Sequence, residues 1–123
     1  MNAYGDYNGA STLTHGVELG VARASSRDVD EATQTLVDGF LRSNDGMRIV
    51  GRQESIRVAG RQGIVTPLEG RSATGGAERV DAYTTMLSNG DLFYVLTVAP
   101  ARDLDQYGEA FDRVVRSVRI NDR

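Results

Sequence analysis

Residues 13–22, LTHGVELGVA, alternate with a period of two. Leu13, His15, Val17, Leu19 and Val21 share one face; Thr14, Gly16, Glu18 and Gly20 share the other. That pattern predicts a strand with its apolar phase buried, and the glycines imply that something approaches the polar face closely. Residues 27–44 switch to helical spacing, with Val29, Ala32, Leu36, Val37, Phe40 and Leu41 on one stripe. Ser25 or Ser26 can cap this helix, Asp28, Asp30 and Glu31 suit its positive end, and Asn44-Asp45-Gly46 stops it.

Strand signals then follow in succession. Residues 47–58 change the parity of their apolar positions between Met47, Ile49 and Ile56, Val58, which predicts a bulge near Gly51 to Ser55. Ala59-Gly60 reads as a turn into residues 61–68, where Pro67 suits a strand end or an edge. Residues 69–78 read as a flexible connection. Residues 79–99 read as a hairpin closed by a two-residue type I′ turn at Asn89-Gly90. That turn would set Leu87 opposite Leu92, Thr85 opposite Tyr94 and Tyr83 opposite Leu96. The run Leu92 to Val98 is apolar in both phases, so it should be central and covered on both faces. After Pro100, Leu104, Tyr107, Phe111, Val114, Val115 and Val118 repeat at helical spacing, with Asp103 and Gln106 placed as a capping box. The order β-α-β-β-β-β-α predicts an α+β domain. Its sheet is an antiparallel meander of about five strands with two amphipathic helices packed on it.

Composition adds limits. A chain of 123 residues makes one domain, over residues 13–123. Residues 1–12, MNAYGDYNGAST, have no periodicity and read as a linker or truncated loop. The net charge of −3 gives no broad field towards nucleic acid. No run reaches the ~18 apolar residues of a membrane span, so no direct membrane insertion is expected. There is no cysteine, which removes disulfides, thiolate metal sites and a cysteine nucleophile. All fourteen basic residues are arginine, a bias that source coding explains better than function does.

Candidate chemistry is sparse. His15 is the sole histidine, and HGVE lacks the second histidine of a zinc-peptidase helix motif. Gly70 to Ala77 has the glycine spacing of a phosphate loop but carries Gly76 and Ala77 where lysine and Ser/Thr belong. Arginines 48, 52, 57, 61, 71 and 79 crowd the meander, yet Glu54, Glu69, Glu78 and Asp81 are interleaved, as on a solvated sheet face. No catalytic, cofactor or metal set emerges. The candidate binding surface is His15, Arg52, Arg71, Tyr83 and Tyr94.

The element order resembles the PsbP-like domains, whose fold is shared with a Ran-binding nuclear-transport factor. The strand-then-helix start, the turn Val58 to Gly63, the hairpin Tyr83 to Val98 and the closing helix with Tyr107, Phe111 and Ser117-Val118-Arg119 carry that resemblance. The runs Thr14 to Val21 and Tyr83-Thr84-Thr85 with Gly90 to Thr97 also resemble the C-terminal extension of bacterial zinc metallopeptidases related to HtpX, BepA and the CAAX proteases. The resemblance implies a non-catalytic accessory domain that docks protein or presents substrate. Zinc would belong only to a peptidase domain outside this stretch. The partner would be that domain in cis, or another protein, in an exported setting that is periplasmic or membrane-associated through the parent protein. The sheet edges invite homodimerisation. The alternative is a small-ligand module, with a pocket between helix and sheet near Tyr83, Tyr94 and His15.

Overall fold

The computed structural model describes residues 16–24, 26–71 and 76–120. Strand β1 (Gly16–Ala22) leads to helix α1 (Val29–Ser43). Four sheet segments come next: β2 (Arg48–Ile49), β3 (Glu54–Val58), β4 (Arg61–Arg71) and β5 (Ala77–Met86). Strand β6 (Leu92–Pro100) then runs through a 3-10 turn (Ala101–Asp103) into helix α2 (Leu104–Ser117). The fold is α+β, with an antiparallel open sheet of six strands in the order β1-β6-β5-β4-β2 and β3 also paired to β4.

The strand predicted over residues 47–58 is divided. Ile49 pairs with Leu68 and Glu54 with Val65, so the β2–β3 side spends two more residues than β4 between those pairs. This is the expected bulge. It also explains Pro67, which lies buried inside β4 and not at an end or an edge as the sequence suggests. The carbonyl of Pro67 accepts from Val50 N–H at 3.0 Å, so the N–H that proline lacks would have pointed at the break. The connection expected over 69–78 is shorter, because Gly70 pairs with Glu78 and Arg71 with Ala77.

The hairpin register differs from expectation by one residue. Met86 pairs with Leu92, Thr84 with Tyr94 and Tyr83 with Val95. Gly90 N–H donates to the Leu87 carbonyl at 3.0 Å, and Leu87 N–H donates to the Asp91 carbonyl at 2.8 Å. Gly90 has φ +95°, whereas Asn89 stays at negative φ. The loop is therefore three residues, a turn followed by a left-handed glycine bulge. Asn89 is held otherwise: its Oδ1 accepts from Asp91 N–H at 2.9 Å. The two-residue left-handed turn occurs instead at Ala59-Gly60, with φ +54° and +78°.

The strand alternation sorts the core into two layers. One sheet face carries Leu68, Val80, Ala82, Leu96 and Val98, which pack against Val37 of α1, with Phe40, Leu41, Met47 and Tyr94 at the margin. The Thr33 and Thr84 hydroxyls meet there at 2.7 Å. The other face carries Val95, Thr97 and Ala99 and lies towards α2, which buries Phe111 and Val115. β6 is thus central and covered on both sides, as its two apolar phases require.

Some end signals are corrected. Asp28 caps α1, its carboxylate accepting from Asp30 N–H at 2.9 Å; Ser26 instead hydrogen-bonds Glu31. Asp103 makes no side-chain cap, because the 3-10 turn reaches α2 first. In β1 the burial is the reverse of expectation, with Glu18 8% and Val21 56% exposed. The Gly16-Glu18-Gly20 phase pairs with Val98, Leu96 and Tyr94, and so lies on the face that α1 covers. Val21 lies on the α2 side at the outer strand, while α2 itself packs on β6. No helix among the described residues is long and apolar enough to cross a membrane.

Candidate functional site

Two concave regions lie on opposite faces of the sheet. The first is a mostly apolar cleft of about 370 Å³ beside α1. Its helical wall is Ala32, Thr35, Leu36, Gly39, Phe40 and Ser43, a set spaced by three and four residues. Its other wall is Leu92 at the start of β6 and Ala22, Arg23 and Ala24 at the exit of β1. This stripe runs beside the one that seats α1 on the sheet through Thr33 and Val37. The helix therefore uses one arc for packing and leaves the next open.

Of the lining residues, Phe40 reaches an aromatic side chain of the sheet. Phe40 meets Tyr94 edge-on, with ring centroids 6.2 Å apart. The Tyr94 ring lies across Gly20, where an added Cβ would come far too close to it; only glycine leaves that space. This is the close approach that the strand glycines foretell. Burial and the Glu18 carboxylate both push the Tyr94 hydroxyl above its ordinary pKa, burial more. Gly39 differs from Gly20: a Cβ built there meets nothing within 4 Å, so its wall faces open space.

The second region is a polar cleft of about 300 Å³ on the α2 side, formed where the β2–β3 break opens beside β4 and β5. Gly51 and Arg52 come from the break, Glu54 from the start of β3, Val65 and Pro67 from β4, and Arg79 and Asp81 from β5. Arg79 Nε donates to Asp81 Oδ1 at 2.9 Å. Desolvation raises the Asp81 carboxyl pKa, against the pull of Arg79. Tyr83, two residues along the same face, is pushed up to about 12 by burial first, then by Asp81 and by Asp112 of α2.

Of the sequence-predicted surface, His15 lies outside the described residues. Tyr83 and Tyr94 fall on opposite faces, because the register pairs Tyr83 with Val95 and Thr84 with Tyr94. One pocket cannot hold both tyrosines. Arg52 lines the polar cleft, while Arg71 ends β4 beside the 72–76 connection and lines neither cleft. Sequence reasoning missed the apolar cleft. Its signal was present: Ala32, Leu36, Gly39 and Phe40 make the apolar arc of α1 wider than one packing stripe.

No protein-family model and no curated protein matches the chain. Among solved structures, PA94 from Pseudomonas aeruginosa, a protein of unknown function proposed as a regulator, is similar. It aligns at a TM-score of 0.64 with 7% identity over 89% of this chain and 85% of that one. At that identity the likeness is one of fold alone.

Proposed function

We propose that this chain is a non-catalytic binding domain of the PsbP-like kind, and that it takes the apolar part of a small molecule into the cleft beside α1. One observation carries this reading. About 370 Å³ of space stands open against Leu36, Phe40 and Leu92 in a chain that otherwise covers both faces of its central strand. Ligand sites of small proteins are typically concave, mostly apolar and of roughly 300–1,000 Å³. A titration of 1-octanol into the isotope-labelled chain, followed by NMR, tests it. Shifts confined to residues around Gly39, Phe40 and Leu92 are expected. A spectrum that stays unchanged there overturns the reading.

A second reading, an accessory docking domain from the C-terminal region of a bacterial zinc metallopeptidase, is favoured by where its resemblance falls. The described part of the Thr14 to Val21 run is β1, and Gly90 to Thr97 supplies most of β6; the two strands pair from Gly16–Val98 to Ala22–Leu92. The shared residues thus form one side of the sheet. In this reading the partner is the peptidase domain in cis, zinc belongs to that domain, and the setting is periplasmic or membrane-associated. An in-frame HExxH peptidase domain in the reading frame that encodes the chain is expected; a frame without one removes the reading.

A further inference from the structure

We propose that the ligand of the α1 cleft is an amphipathic monoanion of the fatty-acid type. Its hydrocarbon chain lies against Leu36, Phe40 and Leu92, and its carboxylate pairs with Arg23. The inference rests on the binding role assigned to this cleft and specifies the chemistry that the cleft selects.

Charge complementarity comes from Arg23. It is the one ionisable side chain among the described residues lining the cleft, and it is exposed. It makes no ion pair among the described residues, whereas Arg48, Arg79, Arg102, Arg113 and Arg116 each have a carboxylate within 4.0 Å. Arg23 follows Ala22, the last residue of β1 and itself part of the wall, so its exposed side chain starts from the rim of the cleft. A guanidinium matches a carboxylate through two parallel N–H···O bonds. The chain as a whole is acidic, at −3, so the attraction for an anion is local to this rim. A neutral head would leave Arg23 unmatched, and a cationic head would meet like charge.

Gly39 is the point on the helical wall where the cleft can be filled. Glycine weakens a helix interior, and it is normally kept where a neighbour presses close or φ is positive. Neither applies here: Gly39 sits inside α1 at negative φ with nothing within 4 Å of a built Cβ. A longer side chain at this position would enter the empty volume beside Phe40.

The test compares octanoate, 1-octanol and octylammonium at pH 7, each titrated into the whole chain by NMR. Octanoate should bind about five-fold more tightly than octanol, the worth of one rim ion pair, and octylammonium more weakly than either. Arg23→Ala should erase the preference for octanoate over octanol. Gly39→Leu should abolish binding of all three without unfolding the chain. Gly39→Ala should raise the melting temperature and weaken binding, which separates loss of the cleft from loss of the fold. Equal affinity for the three probes, all sensitive to Gly39→Leu, overturns the anion inference and leaves the cleft as a binding site. Octanoate binding that ignores Gly39→Leu also overturns the inference, because the anion then sits elsewhere. No shift with any probe overturns the cleft reading itself.

Discussion

Ala59 holds φ +54° in the turn between β3 and β4, where an L side chain crowds the following carbonyl. Asparagine tolerates this region better, and the neighbouring Gly60 already meets its own demand at φ +78°. Ala59→Asn should therefore stabilise the domain by about 0.5–1 kcal/mol, read as a higher urea midpoint at unchanged slope. A midpoint that falls would show that the turn relaxes in solution. Tyr83 offers a second single-residue test. Burial, then Asp81 and Asp112, raise its hydroxyl pKa from 10.0 to about 12. The folded state thus holds the proton over a range in which the unfolded chain has released it. The contribution of Tyr83 to stability is full below pH 10 and is lost as the pH rises through about 12. Tyr83→Phe should remove part of this alkaline loss, on the order of 1 kcal/mol once solvent around the half-exposed ring is allowed for. Urea midpoints at pH 8 and pH 11 for both proteins decide it. An equal drop in both would assign the alkaline loss to other groups.

Between elements, α1 is tied to the sheet by one polar contact as well as by its apolar cluster. Thr84 Oγ1 donates to the Ile64 carbonyl at 3.2 Å, so the 2.7 Å contact with Thr33 runs with Thr33 as donor. Both residues are fully buried. Thr84→Val would leave the Thr33 hydroxyl without its partner, at a cost of about 1–3 kcal/mol. The double variant Thr33→Val, Thr84→Val should be less destabilised than the sum of the two singles, which a double-mutant cycle from chemical denaturation measures. Strict additivity would mean that the hydroxyls do not interact. Legibility in the sequence ends at this scale too. The helix stripe, the two-phase strand and the parity change at Gly51 to Ser55 were readable because burial writes a period into the chain. The hairpin register was not. Asn89-Gly90 invites a two-residue turn, but a three-residue loop with Gly90 as its left-handed member uses the same two residues and moves every cross-strand pair by one. That single slip separates Tyr83 from Tyr94 across the sheet. The pocket expected between helix and sheet near Tyr83, Tyr94 and His15 cannot hold both tyrosines for the same reason, and the cleft beside α1 depends also on how far the helix stands from the end of β1, which no period encodes.

The layers of the whole molecule differ in what holds them. The α1 side unites Val37, Leu68, Val80, Ala82, Leu96 and Val98 in one buried cluster. The α2 side has a helix that buries only Phe111 and Val115 and leaves Val114 37% exposed. The stacking of Tyr107 on Phe111, with centroids 5.6 Å apart, lies within the helix and does little to bind it to the sheet. Two buried side chains thus anchor a helix of fourteen residues. The expected outcome is that α2 opens ahead of the sheet that holds β5 and β6. Hydrogen exchange should show α2 amides exchanging by a sub-global opening of lower free energy than those of β6. Phe111→Ala should lower α2 protection further and leave the α1 cleft able to bind octanol, because that cleft lies on the other face. Equal protection in α2 and β6 would instead make the two layers a single cooperative unit, with β6 transmitting the loss of either helix to the other.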